Sequence, residues 1–261
     1  MATPNVIVFG ETGAGKSSLV NLLAGSAVAQ VSSRSMGCTF QSTCFTVDIG
    51  DKCFNLYDTA GLDEGQGGTV ANQDAIVQLY TLLRRLNTGV NLLVFCMRGP
   101  RIKESCLKNW RLFWEVICQR RVPIILAVTG LENEEDGMDN WWTQNEEHFI
   151  KCEMYPNGVA CVTGTRGRRR AGGGYNFDEE YQQSQEKLRQ AISRVYLRTA
   201  WRVPPLEWFK MIVDVTFTSG KHPEEIRNSR EVIGSATEEL VRRCEMTAEE
   251  ASTLARKLNG I

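Results

Sequence analysis

The stretch "FGETGAGKSSLV", Phe9 to Val20, decides how the rest of the chain is read. Gly10, Gly15, Lys16 and Ser17 stand at the spacing of a phosphate-binding loop. The flanks fit. "NVIVF", Asn5 to Phe9, is an apolar, β-rich run that reads as a buried strand. "SSLVNLLAG" reads as a helix with Leu19, Leu22 and Leu23 on one face and Gly25 as its stop. Strand, glycine loop and helix are what phosphate binding needs. Glycines let consecutive N–H groups turn toward phosphate oxygens, and the helix N-terminus adds the positive end of its dipole. The expected cradle is Gly10, Glu11, Thr12, Gly13, Ala14, Gly15, Lys16, Ser17 and Ser18. Lys16 is expected to reach the β- and γ-phosphates, and the Ser17 hydroxyl to ligate Mg²⁺.

The rest of the composition narrows the class. A chain of 261 residues is one large domain, or one domain with a helical appendage. The net charge of −1 gives no general pull toward nucleic acid or anionic membrane, so no nucleic-acid partner is expected. The nine cysteines contain no C-x-x-C pair and are odd in number, which reads as reduced thiols and a cytoplasmic location. The two histidines, His148 and His222, are far apart and argue against a zinc site or a histidine-dependent triad. Met1 to Asn5 lead straight into the first strand, which argues against a signal peptide. No apolar run approaches the roughly 18 residues of a transmembrane segment.

Downstream of the first helix, Ser26 to Thr43 is polar and irregular, and a long stretch of that kind inside a domain is usually functional. Cys44–Ile49 and Cys53–Tyr57 flank Gly50-Asp51 and read as a hairpin. A helix is expected from Ala71 to Leu86, a strand at Val90–Phe95, a helix over Lys103–Arg120, a strand at Pro123–Val128, a helix over Asp139–Cys152 and a last strand at Val159–Val162. Apolar strands alternating with amphipathic helices indicate an α/β fold with a mainly parallel sheet covered on both faces. From Asp178 onward the pattern is helical, with a long helix expected over Tyr181–Trp201. The expected division is therefore a nucleotide domain, 1–177, and a helical C-terminal extension, 178–261. "RGRRRAGGG", Arg166 to Gly174, reads as a flexible solvated loop.

A second motif fixes the chemistry. In "YDTAGL", Tyr57 to Leu62, an Asp ends a strand and a Gly follows three residues later. At this distance from a phosphate loop the pattern fits phosphate-loop GTPases. Asp58 then holds Mg²⁺ and the Gly61 N–H senses the γ-phosphate. A threonine that ligates Mg²⁺ only when the γ-phosphate is present belongs between the two motifs; the segment offers Thr39 and Thr43 with Ser32, Ser33, Ser35 and Ser42, and Thr39 in "MGCTFQST" is the best placed.

"GETGAGKSSLVNLL", "GCTFQST" and "DTAGL" together resemble the septin-like (paraseptin) branch of GTPases. Within it the resemblance is to the immunity-associated GTPases and the related chloroplast-import receptors. It covers roughly Asn5 to Thr165. It implies a six-stranded sheet with one antiparallel member, GTP or GDP with Mg²⁺, and a homodimer formed through the nucleotide face.

The chain departs from that pattern at two places. The guanine-reading motif is N/T-K-x-D, and here "PIILAV" ends in Thr129-Gly130-Leu131-Glu132. Thr129 fits, Glu132 supplies a carboxylate one methylene longer, and the lysine whose stem packs over the base is missing. Glu132 is read as the guanine acceptor. A solvated acidic loop is the other reading, since Glu134, Glu135 and Asp136 follow. Trp141 and Trp142 are candidates to cover the base in place of the lysine stem, but core packing is the expectation. "VTGTRG" resembles the position where a backbone N–H meets the guanine O6, with Thr163, Gly164 and Thr165 as candidates. The second departure is Leu62, where many GTPases carry the glutamine that orients the attacking water. The resemblance implies that an arginine crosses the dimer instead, and Arg101 in "PRIKE" aligns best, with Arg98 next. The expected catalytic set is Lys16, Thr39, Gly61 and Arg101. The rival is a nucleotide-dependent scaffold with negligible hydrolysis.

Overall fold

A computed structural model describes residues 2–29, 43–59 and 81–202, apart from residue 84. Six strands form one sheet in the order β2-β3-β1-β4-β5-β6. They are β1 Asn5–Gly10, β2 Thr43–Ile49, β3 Lys52–Asp58, β4 Leu92–Arg98, β5 Ile124–Thr129 and β6 Gly158–Cys161. Only β2 runs antiparallel, against β3; β3, β1, β4, β5 and β6 are parallel to one another. This is the six-stranded mixed α/β sheet that the motifs imply. The hairpin turns on Gly50, whose φ of 60° suits glycine.

The alternation along β1 explains the two layers. Val6 and Val8 face one side and Ile7 and Phe9 the other, and all four are fully buried. On the first side lie helix α1 (Lys16–Ala24), with Leu19, Leu22 and Leu23, and the helix Asp178–Val195, with Leu188 and Ile192. The second side is covered by helix α2 (Glu104–Trp110) and its continuation Arg111–Ile117, and by helix α3 (Met138–Lys151). The helix Asp178–Val195 is α4 below. It makes up the first part of the expected C-terminal extension and shares a core with β5, β6 and α1. Beyond residue 202 the extension lies outside the described residues, as do Ser32, Ser33, Ser35, Thr39, Ser42, Gly61, Leu62 and most of the helix expected over Ala71–Leu86.

Three local expectations are corrected. The helix expected over Lys103–Arg120 is continuous only to Trp110, and Arg111–Ile117 winds as a π-helix. The wider turn, seen in the Cys118 N–H bonding to the Phe113 carbonyl at 2.9 Å, keeps Trp110, Phe113, Trp114 and Ile117 all turned to the core. The last long helix ends at Val195 rather than Trp201. Tyr196 turns extended, its ring meets Phe54 edge-on, and the Trp201 backbone pairs with Val90 instead. Finally, Arg166–Phe177 is a folded hairpin rather than a flexible loop. Arg169 pairs with Tyr175, the Arg170 N–H bonds the Gly174 carbonyl at 3.0 Å, and the Arg166 guanidinium lies over the Tyr181 ring.

Candidate nucleotide site

The phosphate loop sits where β1 ends and α1 begins, at the C-terminal edge of a parallel sheet, where open α/β sheets bind ligands. Its glycines are required by geometry. Gly10 has φ 149°, and a Cβ there would stand 2.0 Å from the Cys96 carbonyl oxygen. Gly15 caps α1 in the left-handed region at φ 95°, where a side chain is strained.

The Lys16 side chain, only 7% exposed, folds back over the loop. Its ammonium donates to the carbonyls of Gly10 at 3.1 Å and Glu11 at 2.7 Å. Its charge also acts on the nearby Asp58 carboxyl. Ser17 and Asp58 meet, as the sequence spacing requires: the Ser17 hydroxyl donates to Asp58 Oδ2 at 2.7 Å. The second carboxylate oxygen, Oδ1, is buried and has no hydrogen-bond partner. Burial raises the Asp58 carboxyl above the ordinary carboxylate range, against the pull of the Ser17 hydrogen bond and the Lys16 charge. An unpaired buried carboxylate oxygen beside a serine hydroxyl is a hard-oxygen donor set, and it fits Mg²⁺.

Thr129 braces the loop from the end of β5, and Thr163 follows β6 nearby. The Thr129 hydroxyl donates to the Ala14 carbonyl at 2.7 Å and lies 3.2 Å from where a Gly15 Cβ would be. Thr163 is fully buried, with its N–H on the Ser184 hydroxyl of α4 at 2.9 Å. Gly164 lies against Ser18, since a Cβ there would come within 2.6 Å of the Ser18 Cβ. The two loops expected to hold the base are thus brought against the phosphate loop. Glu132 is half-buried, and its carboxylate has no hydrogen bond or ion pair among the described residues. Trp141 is buried, with its indole N–H on the Pro100 carbonyl at 3.0 Å, and Trp142 packs on Phe149. Both tryptophans therefore belong to the core layer.

Three supporting contacts around the site carry no motif, two on the phosphate loop and one on Thr163. The Glu11 carboxylate, 8% exposed, accepts from the Ser105 hydroxyl and pairs with Lys103 at 3.4 Å. This ties the phosphate loop to the segment that carries Arg101, which itself is exposed. The Cys96 thiol donates to the Ala14 carbonyl at 2.9 Å, and burial pushes its pKa up to about 12, so it remains a donor at neutral pH. Ser184, which holds the Thr163 N–H, is the third. Their signal in the sequence is only a polar residue on an otherwise apolar face.

Residues 5–129 match the family described as 50S ribosome-binding GTPase. The fold is that of a phosphate-loop GTPase. Among curated relatives, GTPase Der of Trichormus variabilis and of a Nostoc species are each 29% identical over 140 residues, covering 52% of this chain. The match spans 28% of the length of Der, less than a third of those relatives. Among solved structures, Toc33 from Arabidopsis thaliana in complex with GDP and Mg²⁺ superposes with a TM-score of 0.53 at 19% identity, covering 78% of this chain and 88% of Toc33. Era from Aquifex aeolicus bound to GDP and aluminium fluoride gives 0.52 at 15% identity, covering 87% and 70%. These likenesses carry the GTPase fold. Among the described residues, no helix is long and apolar enough to cross a membrane.

Proposed function

We propose that the protein is a guanine-nucleotide switch of the septin-like, immunity-associated type that hydrolyses GTP to GDP and phosphate. The observation that carries this reading is the Ser17–Asp58 pair, with its orphaned oxygen, beside a buried Lys16. Lys16 and the loop N–H groups hold the phosphates. Mg²⁺, when bound at Ser17 and Asp58, neutralises phosphate charge. Thr39 and Gly61 respond to the γ-phosphate. Glu132 accepts from the guanine N1–H and N2 amine, which adenine does not offer in that pattern, and Thr163-Gly164 face the O6. A second copy of the chain meets the nucleotide face and brings Arg101 toward the γ-phosphate. The chloroplast translocon components atToc33 and psToc159 support this arrangement, because dimerisation is important for their GTPase activity. The second reading is a nucleotide-dependent scaffold, favoured by Leu62 in the place of the water-orienting glutamine.

Calorimetric titration with GDP and with ADP, each with Mg²⁺, tests the base assignment. GDP is expected to bind well above ADP. Glu132→Ala should erase that preference by removing two hydrogen bonds to a charged acceptor, about 3–6 kcal/mol or more than a hundredfold. A preference that survives the substitution means the base is read elsewhere. Phosphate release that stays at background at every protein concentration favours the scaffold.

A further inference from the structure

The lysine absent from the base motif leaves a position that cannot easily hold any side chain. Gly130 follows β5 with φ 78°, and a Cβ there would stand 3.1 Å from Arg98 Cγ, 3.4 Å from Arg98 Nε and 3.3 Å from the Gly99 carbonyl oxygen. The room beside Gly130 is already taken by Arg98, which reaches over from the end of β4. The register makes this possible: Arg98 lies opposite Thr129, and the Gly99 N–H locks the strand ends together by donating to the Thr129 carbonyl at 2.7 Å. Arg98 is exposed, and its guanidinium has no hydrogen bond or ion pair among the described residues. Glu132, two residues beyond Gly130, is equally unpaired, so cation and carboxylate share one rim without neutralising each other. Thr129 joins that rim to the phosphate loop through Ala14.

We propose that Arg98 replaces the missing lysine by covering one face of the purine, while Glu132 reads its edge. The motif is thereby split between two neighbouring strands. A planar guanidinium stacks on the π-face of any purine, so Arg98 contributes affinity and Glu132 contributes the choice of base. The proposal rests on the nucleotide reading above, with the base held beside residues 129–132.

The test is calorimetry of wild type, Arg98→Ala and Arg98→Lys with GDP, IDP and ADP, together with thermal melts of the nucleotide-free proteins. Arg98→Ala should weaken every purine nucleotide that wild type binds by about tenfold, with the ratios between them unchanged. Arg98→Lys keeps the stem, loses the plane and should fall between. The nucleotide-free melting temperature should be unchanged, because Arg98 is exposed. Wild-type affinity in Arg98→Ala, or a loss confined to the melt, overturns the cover. Equal binding of GDP and ADP by wild type overturns Glu132 as base reader and leaves the Arg98 comparison decisive. A wild type that binds no purine nucleotide overturns both.

Discussion

Lys16→Ala is expected to lower affinity for GDP and GTP by about a thousandfold. The ammonium is buried and held over the loop by the Gly10 and Glu11 carbonyls, and in the proposed site it donates to the β- and γ-phosphates. Each charge-assisted hydrogen bond to an anion contributes about 1.5–3 kcal/mol, and two of them set the thousandfold scale. Alanine also leaves those two carbonyls without their donor, so the nucleotide-free protein should melt earlier. Lys16→Met retains the stem and separates the effects: it should restore packing without restoring affinity. The measurement is calorimetric titration alongside a thermal melt. Unchanged affinity in either variant would remove the phosphate-loop assignment.

The second large effect concerns rate. Arg101→Ala should slow GTP hydrolysis by a factor on the order of 10³, the usual worth of an arginine delivered to the transferring phosphoryl group, without weakening GTP binding. Arg101 lies two residues before Lys103, and Lys103 and Ser105 grip Glu11 of the phosphate loop. That grip holds the Arg101 segment at the rim of the site, where an exposed guanidinium is available to a facing copy. Mixing Arg101→Ala with a protein that carries Lys16→Ala and an intact Arg101 separates the routes. Recovery of phosphate release means the arginine acts across the dimer. A rate that never recovers while nucleotide binding stays intact removes the trans assignment. A wild-type rate in Arg101→Ala alone removes the residue from catalysis.

The site was legible where function demands a fixed local pattern. Glycines at 10 and 15 announce themselves because no other residue tolerates a carbonyl at 2.0 Å or a left-handed cap. Asp58 was legible because it ends a strand at a set distance from the loop, and the structure does bring it to Ser17. The Ser105 and Ser184 contacts were not legible. Each is a single polar residue brought to its partner across 94 or 21 positions of sequence, and only packing selects it from many similar serines. The Arg166–Phe177 hairpin was misjudged for a related reason. Arginines and glycines look solvated in sequence, while ring contact with Tyr181 and a turn of backbone hydrogen bonds order them in the fold.

The sequence by itself determined the glycine loop between β1 and α1, the strand and helix alternation, and the aspartate that meets Ser17, because these depend on periodicity and on residues with unusual backbone or charge properties. Only the tertiary structure decided where α4 stops, how α2 widens to keep four large side chains in the core, and which side chain stands beside Gly130. Those outcomes depend on volume and register between segments far apart in the chain. Close packing resolves them only once the sheet has placed β4 against β5.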